Sequence, residues 1–154
     1  MSPPTVQYEK NAELFADYQT PYKLNRPILA PSGEPGNFDA LGVDNMRIFR
    51  HKGRFYATYI GFDGVGYQTA LAVSDDLLNW QKLGVIFPRG SANAWDRVGR
   101  AVSCWLHDVD LYGNRELIAK DGKYWMFYHA YPDEGYEGGS AANGLAWTED
   151  DTFH

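Results

Sequence analysis

The chain has one cysteine, Cys104, in 154 residues, so it can close no internal disulfide and offers no cysteine cluster to hold zinc. A lone cysteine in an apolar context is expected to be a small core residue. No apolar run approaches the roughly 18 residues of a bilayer span, and Met1-Ser2-Pro3-Pro4 is not followed by a hydrophobic signal segment. The simplest compartment is therefore the cytoplasm, with secretion or the periplasm open if the N-terminus has been trimmed. Basic clusters are also missing. With a formal net charge of −6, neither nucleic acid nor an anionic membrane is expected as a partner, and a neutral ligand fits better. His51, His107, His129 and His154 are scattered without metal-ligand spacing, so no metal is expected, and no cofactor. Gly135-Tyr136-Glu137-Gly138-Gly139-Ser140 is glycine-rich but lacks the Lys-Ser/Thr ending of a phosphate loop, and reads as a flexible hairpin tip.

What is abundant is β-type material. Hydrophobic residues make up 44% of the chain and aromatics 16%, too much for disorder, with 5 Trp and 11 Tyr able either to fill sheets or to stack on sugar faces. Residues 1–37 form an irregular segment broken by Pro3, Pro4, Pro21, Pro27, Pro31 and Pro35, with a short helix or turn expected around Glu9–Tyr18. From residue 38 to 154 the text changes to short runs rich in aromatic and β-branched residues. Met46–His51, Arg54–Phe62, Thr69–Ser74 and Trp80–Phe87 are cut by Lys52-Gly53, Asp63-Gly64 and Asp75-Asp76, which predicts a four-stranded meander.

The meander starts again further on. Gly53-Arg54-Phe55-Tyr56 returns as Gly122-Lys123-Tyr124-Trp125, Tyr59 returns as Tyr128, and Leu71-Ala72-Val73-Ser74-Asp75-Asp76 returns as Leu145-Ala146-Trp147-Thr148-Glu149-Asp150. Upstream, Phe38-Asp39-Ala40-Leu41-Gly42 corresponds to Trp95-Asp96-Arg97-Val98-Gly99. Matches kept in one order imply two copies of one unit. A repeated four-stranded antiparallel unit is a propeller blade, so the fold class is all-β, an incomplete β-propeller with about two blades. Two blades leave apolar faces uncovered. The chain is therefore expected either to self-associate or to join a C-terminal remainder that completes the propeller.

Asp44 before a β run, then Lys52-Gly53-Arg54-Phe55-Tyr56, then Ala70-Leu71-Ala72-Val73-Ser74-Asp75-Asp76-Leu77 with Asn79-Trp80, resembles the five-bladed propeller glycosidases of glycoside hydrolase families 43, 32 and 130. Families 43 and 32 usually follow the first Asp with Pro, where this chain has Asp44-Asn45. The resemblance implies an active site on the propeller axis, a carbohydrate substrate, and two carboxyl groups flanking the scissile bond. It assigns Asp44 as general base or nucleophile. Glu116 in the second blade is the implied transition-state carboxylate, with Arg115 as a hydroxyl clamp and the second inner strand placed at Arg115–Ala119; Asp108 and Asp110 compete for that position. The catalytic acid would be a Glu from a third blade. Asp39 is the reserve for Asp44, although its repeat at Asp96 favours a structural turn, and Trp95, Trp105 and His129 are further candidate sugar contacts. The alternatives are a non-catalytic carbohydrate-binding propeller fragment and a family 130-like phosphorylase, for which Arg47, Arg50, Arg97, Arg100 and Arg115 supply basic side chains.

Overall fold

Short aromatic and β-branched runs between turn formers produce eight strands and no helix in the computed structural model, which describes residues 23–150 and 152–153. The helix or turn expected over Glu9–Tyr18 lies outside the described residues. The first sheet is an antiparallel meander, β1 (Gly42–His51), β2 (Arg54–Phe62), β3 (Tyr67–Ser74) and β4 (Gln81–Phe87), paired in chain order. Its first hairpin turns on Lys52 and Gly53, both at positive φ (50° and 81°), the backbone a two-residue hairpin demands. Asp121 and Gly122 repeat that turn at φ 56° and 73°.

The second sheet contains β5 (Gly99–Trp105), β6 (Ala119–Lys120), β7 (Lys123–Tyr131) and β8 (Ala142–Thr148), with β7 in the centre. Its first strand is β5, not Arg115–Ala119. Residues 106–118 interrupt the strand: Leu106 still donates to the Trp125 carbonyl, the chain leaves, and β6 resumes the same edge of β7 at Tyr124. The apolar text of Leu117-Ile118-Ala119 mimics a strand opening because it is the return limb of this excursion. Arg50 N–H donates to the Arg115 carbonyl and Leu117 N–H to that of Arg50, so the limb lies parallel against the end of β1.

Strand register bears out the repeat residue by residue. Gly42 pairs with Phe62 and Gly99 with Tyr131; Ala70 pairs with Tyr59 and Gly144 with Tyr128; Leu71 pairs with Thr58 and Leu145 with Phe127. The turns after the third strands also match. Asp76 Oδ1 accepts from the backbone N–H of Leu78 and Asn79, and Asp150 Oδ1 from those of Thr152 and Phe153. Such side chain–backbone bonds replace the ladder where a strand ends. The Asn79 backbone and side-chain bonds hold the Asp76 carboxyl down at about 2.

The two sheets stack as neighbouring blades. Phe49 and Leu71 of the first meet Val102, Trp105 and Met126 of the second, with Phe153 in the same core. The two sheets are stapled by polar groups as well: Thr69 Oγ1 of β3 donates to the Arg100 carbonyl and accepts from Val102 N–H, and Asn45 Nδ2 of β1 donates to the Val102 carbonyl at 2.7 Å.

Each blade carries a buried carboxylate under its central tyrosine. Asp39 pairs with Lys82, while Asp96 pairs with Arg100 at 2.8 Å and accepts from Tyr128 Oη at 2.9 Å. Burial and the Asp96 charge push the Tyr128 hydroxyl up to about 12. The equivalent Tyr59 hydroxyl has no hydrogen-bond partner among the described residues. Tyr128→Phe should therefore cost about 1.5–3 kcal/mol, the value of a hydrogen bond to a charged group, while Tyr59→Phe stays within about 0.5 kcal/mol of the parent. Denaturant melts of both variants check the difference.

Candidate active site at the inner strands

A β-bulge decides where Asp44 points. Between Asp44 and Arg47 the register of β1 against β2 slips by one residue, and Asn45 takes the left-handed conformation with φ 51°. Proline is locked near −65°, so the Asp-Pro order of families 43 and 32 cannot occupy this backbone. Asparagine adopts it readily, and its amide makes the contact to β5 described above. The bulge leaves Asp44 exposed, with Oδ1 accepting Asn45 N–H at 2.6 Å. Bulges re-aim side chains in this way near active sites.

Asp44 sits between two clefts. One, of about 220 Å³, is lined with Phe62, Tyr67 and Tyr136; the other, about 200 Å³, with Leu29, Met46 and Tyr59. Aromatic walls beside a carboxylate suit the C–H faces of a sugar ring. The β7–β8 connection, which the glycine-rich text marks as a hairpin tip, folds over this end of β1. Gly135 N–H donates to the Val65 carbonyl, Arg97 pairs with Asp133 at 2.7 Å, and the Tyr136 ring meets Phe62 at 5.6 Å and Tyr67 at 5.2 Å edge-on. Tyr136 Oη donates to Asp44 Oδ2 at 3.4 Å, a long bond.

The same connection carries Glu137, next to Tyr136 and exposed. Burial raises the hydroxyls of Tyr67 and Tyr131, and the Glu137 charge adds to the rise in both. His129 bonds Ser103 Oγ through Nδ1 at 3.1 Å. Burial lowers its tendency to protonate; Glu137 opposes that and Arg47 reinforces it. The arrangement is thus the Asp44 carboxylate with the Tyr136 hydroxyl at one end of β1, and Glu137 is the next residue along the connection that carries Tyr136. Glu137 and Tyr136 are not visible as site residues in the sequence. Their spacing from Asp44 is set by how the second blade docks, and the only local signal was an acidic and an aromatic residue in a long connection.

The other expected residues are dispersed. Glu116 Oε1 accepts the backbone N–H of Lys52 at 2.8 Å, at the far end of β1. At about 3.3 Å per residue this is about 20 Å from Asp44, so the fold does not join the two. Asp108 caps its own loop, accepting from Asp110 and Asn114, and Asp110 accepts from Tyr112. Asp39 is buried against Lys82, so it serves the blade core and not a ligand. Trp105 is buried between the blades, and Trp95 stacks on Tyr128 at 5.7 Å with one face open. Arg115 lines a groove of about 330 Å³ between β1 and β5, together with Arg47, His107 and Cys104. Cys104 is exposed there, not in the core. Of the other arginines considered, Arg97 and Arg100 are held in ion pairs and Arg50 lies over the Phe55 ring. No group of three His, Cys, Asp or Glu side chains among the described residues could hold a metal ion.

No protein-family model matches the chain. Over 114 residues it is 25% identical to a 1,2-beta-oligomannan phosphorylase of Thermoanaerobacter sp. (strain X514), covering 72% of this chain and 31% of that protein. Among solved structures it is similar to a BT0996 RGII complex, with a TM-score of 0.75 and 29% identity over 97% of this chain and 43% of that one. A structure described as a glycoside hydrolase gives 0.73 and 30% over 96% and 42%. Zg3597, a family 117 glycoside hydrolase of Zobellia galactanivorans, shares the fold at a TM-score of 0.54 and 20% identity over 77% and 32%. The chain thus spans about a third of the curated relative and less than half of the similar structures. With the register-matched blades, these likenesses identify the fold as two adjoining blades of a β-propeller of the type found in glycoside hydrolases.

Proposed function

We propose that the chain is part of a glycoside hydrolase that cleaves an oligosaccharide or polysaccharide between Asp44 and Glu137. The observation that carries the reading is the contact of Tyr136 with Asp44, which ties the connection bearing Glu137 to the carboxylate at the bulge. Glycoside cleavage needs one carboxyl group to protonate the leaving oxygen and one to activate water or attack the sugar. Asp44 takes the second role and Glu137 the first, in place of an acid from a third blade. Expected for Glu137→Gln in the complete protein is a loss of about 10²–10⁴-fold on substrates with poor leaving groups, and a small loss on aryl glycosides that need no protonation. Equal losses on both would return the acid to another blade.

Further blades belong to this proposal. The face of the first blade that holds Thr58 and Leu71 is buried beneath the second, whereas the equivalent Phe127 and Leu145 are 48% and 47% exposed and Trp147 is 54% exposed. A third blade docked as β5 docks on Thr69 would cover them. A second reading, phosphorolysis, is favoured by Arg47 and Arg115, which line one groove and have no ion-pair partner among the described residues, together with the phosphorylase relative. It is distinguished by product: a sugar phosphate formed only when phosphate is present.

A further inference from the structure

The groove between β1 and β5 differs chemically from the Asp44 clefts. Its lining includes the exposed apolar side chain of Ile48 beside Met46, and Arg47, Arg115 and His107 without any carboxylate. The described arginines elsewhere make other contacts: Arg54, Arg89, Arg97 and Arg100 are in ion pairs, Arg50 lies over the Phe55 ring, and Arg26 bonds Leu78 and Asn79. Arg47 and Arg115 have no ion-pair partner among the described residues, although the chain carries a net charge of −6. In a chain with surplus acid, two guanidiniums left free at one groove form a site prepared for an anion from outside. His107 Nδ1 donates to the Asp108 carbonyl at 2.8 Å, which anchors the ring. The groove meets one Asp44 cleft at Met46, which lines both.

We propose that this groove is a subsite for an acidic sugar, a uronic acid residue of the glycan, whose carboxylate lies between Arg47 and Arg115 while its ring covers the exposed Ile48 side chain. The inference rests on the glycan-cleaving reading above and adds the charge of the substrate to it. Two features favour a sugar carboxylate over free phosphate. The groove, at about 330 Å³, is large enough for a ring, and its exposed Ile48 side chain has no use for a fully hydrated inorganic ion.

The test uses the 154-residue chain and three probes at low ionic strength: a glucuronyl-glucose disaccharide, the neutral glucosyl-glucose counterpart and inorganic phosphate. Calorimetry measures binding. Alkylation of Cys104, which opens into the groove and is the chain's one cysteine, reports occupancy at the site itself. The acidic disaccharide should bind about tenfold or more tightly than the neutral one, lose most of that advantage in about 0.5 M salt, and slow alkylation. Arg47→Gln and Arg115→Gln should each remove the preference with circular dichroism unchanged, and Arg47→Lys should keep part of it. Arg115 lies in the excursion outside the sheet, so its variant stands as the test if Arg47→Gln disturbs the strand. Equal binding of the two disaccharides overturns the acidic subsite and leaves the glycan reading in place. Protection of Cys104 by phosphate with no preference for the acidic sugar also overturns it. Binding of neither sugar overturns the acidic subsite as well.

Discussion

Asp44→Asn should lower turnover of the complete enzyme by about 10²–10⁴-fold while leaving its melting temperature unchanged, because the side chain is exposed and, among the described residues, bonds only Asn45 N–H and Tyr136 Oη. Asn keeps the size and the acceptor oxygen but cannot take a proton from water or hold the negative charge that attack requires. The informative partner is Asp39→Asn, a few residues upstream. Asp39 is 2% exposed and its carboxylate answers the Lys82 ammonium, which also donates to the Ala30 carbonyl. Removing that charge leaves a half-buried ammonium without its counter-ion, a loss of about 3 kcal/mol in the range for breaking buried pairs. Turnover measured well below the melting temperature should hold. If instead Asp44→Asn melts early and Asp39→Asn stops turnover, the catalytic and structural roles are exchanged and the active-site proposal fails.

Trp105→Ala should destabilise the chain by about 3–5 kcal/mol, the range for deleting a fully packed large aromatic ring. Trp105 is 6% exposed and its ring meets Phe49 at 5.7 Å and Phe153 at 5.5 Å, so it belongs to both blades at once. The cavity left behind would lie on the blade–blade boundary, where sheets cannot collapse without breaking the bonds of Thr69 and Asn45 across it. Trp95→Ala should cost far less, about 1 kcal/mol, since its ring is 45% exposed and stacks on Tyr128 with one face only. Urea unfolding monitored by far-UV circular dichroism separates the two. A loss of under about 1 kcal/mol at Trp105 would show that the blades do not share a core.

The sequence alone determined the repeat and hence the architecture. Patterns such as Gly-basic-aromatic-aromatic and Ser/Thr-x-Asp are local: they encode a hairpin turn with two positive φ angles and a side chain that caps a strand end. Each can be read without knowing what lies across the sheet. That is why the paired positions Tyr59 and Tyr128, or Leu71 and Leu145, reappear in matching register. The buried role of Asp39 was also hinted at by its copy at Asp96, since duplication in both blades points to something every blade needs.

The site was another matter. Asp44 was legible as a candidate because its signal lies in its own strand, but the aim of its carboxylate comes from a bulge that no residue pattern announces. Glu116 was drawn in because residues 106–118 interrupt an inner strand and the return limb carries strand-like text, so the edge of the sheet could not be followed along the chain. Tyr136 went unseen because it stands 92 residues from Asp44, and only the docking of one blade on the next closes that distance. Local turns and strand ends depend on a few neighbouring residues and are written in sequence. Carboxylates that must converge on one bond depend on the stacking of whole sheets, through contacts such as Trp105 on Phe49 that carry no local mark, and only the tertiary structure decides which of them meet.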